Sequence, residues 1–256
     1  SSFGRRIVAE MASAFGIDIG GSGIKGAPVD LDQGRLAAER HRIPTPVPST
    51  PRAVGAVVRQ LLDHFDWDGP TGCTFPAVVR NGVTHTAANV DQAWIDCRAD
   101  EMLSSISGRD LHLINDADAA GIAEVRYGAA TDTSGVVIVL TLGTGIGSAL
   151  FLDGRLLPNS EFGHLEIRGK PAERRASDRV RKEAKLNWPE WATRVEEYLR
   201  AMEDLFWPDL FVLGGGVSKR HESFLPHIDI RTPVVPASLR NDAGIIGAAL
   251  RAAGET

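Results

Sequence analysis

The feature that most constrains this chain is a strand, glycine turn, strand unit that occurs twice. Residues 14–19 (AFGIDI) read as a buried strand that ends in Gly20-Gly21-Ser22-Gly23, and residues 25–31 look extended beyond it. The same layout returns over residues 136–157, as an apolar strand, Gly143-Thr144-Gly145-Ile146-Gly147, a second apolar strand and an Asp153-Gly154 turn. With Gly143 set beside Gly20 the copies lie about 120 residues apart. One glycine turn in a hairpin is commonly structural. Two matched copies predict two related α/β halves facing each other, each offering a glycine hairpin to a ligand in the cleft. Gly21, Gly23 and Gly26 also satisfy G-x-G-x-x-G. A dinucleotide loop would have to open a helix there, and Gly26 and Pro28 would fall in its first turns, so a hairpin is expected instead. The turn glycines permit positive φ and let backbone N–H groups approach a phosphate, while Lys25 supplies a point charge.

Between and beyond the copies, strands alternate with helices, which argues for a mainly parallel sheet in each half. Residues 52–65 and 188–206 carry apolar side chains at helical spacing. Short strands are expected around Cys73, at 111–114 and at 210–213, and the last helix at 244–253 is alanine-rich. Asn115-Asp116-Ala117-Asp118 follows the strand at 111–114 and opens a helix to about Tyr127. With 28 Lys and Arg against 33 Asp and Glu the formal charge is −5, a poor match for a general nucleic-acid binder. Two cysteines, Cys73 and Cys97, cannot build a disulfide scaffold and suit a reduced, cytoplasmic setting. No apolar run is long enough to span a membrane. Residues 1–10 read as a remnant of expression cloning before a native start at Met11, or as a short native tail, and leave no room for a DNA-binding helix-turn-helix before the first strand.

Asp116, where a buried strand gives way to a helix, would project its carboxylate into the cleft as a general base. Helix capping is the competing reading at such a junction, and Asp118 is expected to serve the helix start. Asn115 can both donate and accept, which suits a sugar hydroxyl. Glu161, His164 and Glu166 place two carboxylates and an imidazole within six residues, enough to pair vicinal hydroxyls. Zinc is the rival, but H-E-x-x-H is absent and no cysteine lies nearby, so no metal-ligand set is assigned. Residues 168–185 hold eight basic and three acidic side chains, an excess of +5 in an acidic chain. They form either a solvated helix face or a track for a polyanion.

Taken together, Asp18-Ile19-Gly20-Gly21-Ser22-Gly23, Asn115-Asp116, Leu142-Gly143-Thr144-Gly145, the stretch 161–166, Gly214-Gly215-Gly216-Val217-Ser218-Lys219 and Asp242-Ala243-Gly244 resemble the ROK sugar kinases, most closely their polyphosphate glucokinase branch. The resemblance implies an actin-like ATPase (ribonuclease H-like) fold, two α/β domains around a cleft. It divides the chain into 11–116 and 117–242, with the helix 243–253 packing back on the first domain. It also implies that Asp116 deprotonates the glucose 6-hydroxyl, and that Asn89, Asn115, Glu161, His164 and Glu166 hold the sugar. Phosphate contacts would fall on Asp18, Gly20, Gly21, Ser22, Gly23, Lys25, Gly143, Thr144, Gly145, Gly147, Gly214, Gly215, Gly216 and Lys219. The polyphosphate track would comprise Arg174, Arg175, Arg179, Arg181 and Lys182, in a region where typical members carry a cysteine-rich zinc motif and this chain has no cysteine. Inorganic polyphosphate is the expected donor, with ATP as a second candidate, Mg²⁺ as cofactor and a homodimer as the assembly. An ATP-dependent kinase of another hexose or an amino sugar, and a sugar-sensing regulator without catalysis, are the rival readings.

Overall fold

A computed structural model describes residues 12–87 and 90–254; the expected remnant at 1–10 lies outside the described residues. In chain order the first half contains β1 (Ser13–Ile19), β2 (Ile24–Asp30), β3 (Arg35–Leu36), β4 (His41–Ile43), α1 (Pro51–His64) and β5 (Thr71–Phe75). A small ribbon follows, β6 (Val79–Arg80), β7 (Val83–Thr84) and β8 (Cys97–Arg98), then α2 (Ala99–Ser107), β9 (Leu111–Asn115) and α3 (Asp116–Tyr127). The second half contains β10 (Val136–Leu142), β11 (Ile146–Leu152), β12 (Arg155–Leu157), β13 (Glu166–Ile167), β14 (Lys170–Pro171), α4 (Glu173–Ala176) and α5 (Asp178–Glu183). It ends with α6 (Trp188–Phe206), β15 (Leu210–Gly214), β16 (Val234–Pro236) and α7 (Ala243–Ala252).

The repeat read from the sequence is a repeat of topology. One sheet runs β3-β2-β1-β5-β9, with β4 added beside β2, and the other runs β12-β11-β10-β15-β16. In each, a central antiparallel hairpin is followed outward by two parallel strands. The hairpins close with Ile19 opposite Ile24 and Leu142 opposite Ile146, so the second turn is one residue shorter than the first.

The central strands are apolar throughout because both faces are covered. On β1, Phe15, Ile17 and Ile19 pack with Val54, Val58 and Leu61 of α1 and Leu103 of α2, while Ala14 faces the layer that contains α7. On β10, Ile138, Leu140 and Leu142 pack with Trp191, Val195 and Leu199 of α6, and Val137 and Val139 face α3. The helix α6 follows the predicted span, opened by a capping box between Asn187 and Glu190.

Between the sheets, α3 and α7 cross at near-contact distance. A Cβ at Gly247 would overlap the carbonyl oxygen of Ala119, and one at Gly16 or Gly72 would overlap that of Ile245 or Ala248. The glycines and alanines of the last helix therefore let two helices and a sheet meet without intervening side chains. That contact joins the two halves beside the start of α3.

Candidate active site

Both hairpins converge on the first turn of α3. From the second, Gly147 lies so close to Ala117 that an added Cβ would stand 2.9 Å from the alanine methyl. From the first, Asp18 lies near enough to Asp116 to perturb its ionisation. Cross-strand pairing explains the surroundings of Asp18. Lys25 stands opposite it on β2 and Thr74 beside it on β5. Directly paired residues share a face of the sheet. Lys25 Nζ lies 2.9 Å from Asp18 Oδ2, and the Thr74 hydroxyl donates to Asp18 Oδ1 at 2.9 Å.

Asp116 is accessible at the first turn of α3, yet protein surrounds it closely enough to strip much of its hydration. That desolvation pushes its pKa up to about 6, and the negative charges of Asp18 and then Glu161 push the same way. The Ala117 N–H, 2.9 Å from Asp116 Oδ1, pulls against them. Capping falls to Asn115 instead. Its Oδ1 accepts from the N–H groups of Ala117 and Asp118, and its Nδ2 donates to Ala77 O at 3.0 Å. One amide hydrogen of the buried Asn115 is left over, so a sugar contact there reduces to a single donor.

Asp118 does not serve the helix start. It accepts from the Asn159 N–H at 2.7 Å, leaves Oδ1 without a partner, and is pushed up to about 7, first by burial and then by Asp116 and Glu161. Asn159 in turn bonds the backbone of Val79 through both ends of its amide, at 2.8 and 2.9 Å, and so ties the loop that carries Glu161 to the opposite half.

Glu161 and His164 flank the short helical turn Phe162–His164, with His164 Nε2 3.6 Å from Glu161 Oε2. Burial raises the Glu161 pKa, opposed by His164 and helped by Glu173. Glu166 sits on β13 and leans toward its own hairpin, with Oε1 3.8 Å from an ideal Cβ on Gly169. Asn89 lies outside the described residues.

The turn glycines act by leaving space. None of Gly20, Gly21, Gly23, Gly143, Gly145 and Gly147 has a positive φ, contrary to the use expected of them. An added Cβ at Gly21 or Gly143 would meet nothing within 4 Å, so the surface in front of both turns is open. Thr144 sits between Gly143 and Gly145 in the second turn, where Gly143 N donates to Gly145 O at 3.0 Å. After β15, Gly215 is the glycine that needs its conformation, with φ of 82° against Leu142. Lys219 lines a separate cavity of about 810 Å³ with Arg40, Arg240 and Asp242, away from the glycine turns.

The basic stretch is divided by its partners. Arg175 pairs with Glu197 at 2.6 Å, and Arg181 and Lys182 both pair with Asp178, at 2.9 and 2.6 Å. Arg181 also lies over the Trp188 ring, 4.0 Å from its centroid. Arg174 and Arg179 are exposed and form no ion pair among the described residues. The stretch touches the cleft directly, since the Arg179 N–H donates to Gly143 O at 3.1 Å.

Three groups escaped the sequence reading. Arg42 Nη2 donates to Ser22 O at 2.6 Å, beside the first glycine turn. Glu173 Oε2 lies 2.5 Å from an ideal Cβ on Gly145. Glu124, buried in α3, accepts from Ala129, Ser238 and Leu239 N–H groups and from the Ser238 hydroxyl, anchoring the approach to α7. Arg42 lies 20 residues from Ser22 and Glu124 lies 114 from Ser238, and only the β2–β4 pairing could have pointed to Arg42.

Known proteins share the sequence pattern and the fold. The family model described as "ROK family" matches residues 14–177. The polyphosphate glucokinase of Mycobacterium tuberculosis is 50% identical over 243 residues, covering 94% of this chain and 92% of the relative. The crystal structure of the inorganic polyphosphate/ATP-glucomannokinase from Arthrobacter sp. strain KM superposes with a TM-score of 0.91 at 48% identity, covering 96% of this chain and all of that one. A ROK family glucokinase from Streptomyces griseus, in complex with glucose and AMPPNP, shares the fold with a TM-score of 0.80 at 23% identity, over 95% of this chain and all of that one.

Proposed function

Because the chain belongs to the ROK family and has its actin-like fold of two ribonuclease H-like halves around a cleft, we propose that it phosphorylates glucose at the 6-hydroxyl from inorganic polyphosphate, with Asp116 as the general base. One observation carries the reading. The Asp116 carboxylate, raised to about 6 by its surroundings, stands at the start of α3, where the two glycine hairpins approach each other. Near neutral pH such a group is ionised yet basic enough to accept the hydroxyl proton as the oxygen attacks. ATP is a second donor on the same site, in keeping with the name of the Arthrobacter relative.

The other residues bind and orient. Glu161 and His164, with one hydrogen of Asn115, present acceptors and donors to the sugar ring, and Glu166 and Asn89 complete the set implied by the family. The two turns, Gly20, Gly21, Ser22 and Gly23 and Gly143, Thr144, Gly145 and Gly147, receive the phosphates, with the open backbone in front of Gly21 and Gly143. The lobe formed by 11–116 with the helix 243–253 closes on the lobe formed by 117–242, keeping water from competing with the sugar hydroxyl. Assembly as a homodimer rests on the family resemblance.

A divalent cation fits this donor set in part. Among the described residues no group of three ligating side chains exists. Mg²⁺ characteristically needs only one or two carboxylates beside the donor's own oxygens. Asp18 has Lys25 on Oδ2 and the Thr74 hydroxyl on Oδ1, so it would hold the ion through the ion's own waters. When bound, it would neutralise charge on the donor phosphates.

The test is glucose 6-phosphate formation with polyphosphate and ATP supplied separately. Turnover with polyphosphate supports the reading, turnover with ATP alone favours an ATP-dependent sugar kinase, and glucose binding without turnover of either donor favours a sugar-sensing regulator.

A further inference from the structure

We propose that Arg42, and not Lys25, is the cation that grips the donor phosphate at the first glycine turn. The inference rests on the reading of the cleft as a phosphoryl-transfer site. Cross-strand register places Thr74, Asp18, Lys25 and Arg42 in one row over four adjacent strands, so all four stand on the same face of the sheet. Within that row Lys25 is committed to Asp18 at 2.9 Å, and the pair is neutral as a unit. Arg42 has no carboxylate partner among the described residues and is exposed on β4.

Its guanidinium sits against Gly23, where an added Cβ would stand 2.6 Å from Nη2, and that same nitrogen donates to Ser22 O at 2.6 Å. One of five N–H donors is spent in anchoring the fork to the turn, and the rest remain available for a bidentate grip on phosphate oxygens. The second turn differs, since the carboxylate of Glu173 stands beside Gly145. Its cation is Arg179, which has no ion pair among the described residues and whose N–H reaches Gly143 O. At the first turn Arg42 is therefore the cation free to meet a polyanion. Both donor types present the same phosphate chemistry there, so Arg42 serves polyphosphate and ATP alike, unlike the basic stretch at 174–182.

The experiment uses Arg42→Gln and Arg42→Lys in the full chain, with KM measured for polyphosphate, ATP and glucose. Calorimetric titration of the glucose-bound protein with inorganic tripolyphosphate supplies a readout independent of turnover. Arg42→Gln is expected to raise both donor KM values and the tripolyphosphate Kd by about tenfold or more, with the glucose KM within twofold. Arg42→Lys is expected to fall between Arg42→Gln and the parent. Tripolyphosphate affinity and donor KM values within twofold of the parent in Arg42→Gln would overturn the assignment. Should the parent turn over neither donor, the functional reading fails, and the tripolyphosphate titration still decides the role of Arg42.

Discussion

At the scale of single residues, the site is a set of carboxylates, Asp116, Asp118 and Glu161, that burial and neighbouring carboxylates push upward. Asp116 must be ionised to accept a proton, so kcat/KM for glucose phosphorylation should fall as pH drops through about 6, and a steady-state pH profile checks it. Asp118 predicts a stability effect of defined sign. Its pKa in the folded protein, about 7, lies above the ordinary 3.8, so the group opposes folding above pH 7 and the penalty fades as pH falls toward 3.8. Asp118→Asn keeps an acceptor for the Asn159 N–H and should melt higher than the parent at pH 8. The gap should begin to shrink below pH 7 and close toward pH 3.8, as thermal melts at several pH values would show. The sequence made Asp116 conspicuous because a strand ends there and a helix begins. It could not show that Asn115 does the capping, since Asn and Asp both cap well, nor that Asp118 bonds a loop 41 residues away.

At the scale of elements, local signals were legible where they are strong. The span of α6 and its apolar stripe can be read directly from the sequence, and both glycine hairpins from their alternation of apolar runs and turns. The basic stretch was legible as charge but only partly as geometry: Asp178 pairs with Arg181 and Lys182 at local helical spacing within α5, whereas the Arg175–Glu197 pair depends on how α4 lies on α6. That geometry separates two classes of substitution. Replacing Arg174 and Arg179 with Gln should raise KM for long polyphosphate more than KM for ATP, and the difference should shrink at high salt. Replacing Arg175 with Gln removes the ion pair to the half-buried Glu197 and should instead lower the melting temperature, with little donor selectivity. Equal effects of the Arg174 and Arg179 changes on both donors would reduce the stretch to a solvated face.

At the scale of the whole molecule, the crossing of α3 and α7 joins the halves and fixes what the cleft brings together. The alanine and glycine content of the last helix was visible in the sequence, but its contacts with Gly16, Gly72 and Ala119 come from three separate parts of the chain. Gly247→Ala should destabilise the protein by about 1–3 kcal/mol through overpacking, measured by urea unfolding, because the Ala119 carbonyl already fills the space.

The account stands or falls on the carboxylate where those parts converge. The most direct measurement is the rate of glucose 6-phosphate formation from polyphosphate by Asp116→Asn beside the parent, with glucose binding and the melting temperature recorded for both. The account predicts a loss of about 10²- to 10⁴-fold in kcat with binding and melting near those of the parent. A folded, glucose-binding variant that keeps kcat within a few-fold of the parent would contradict it.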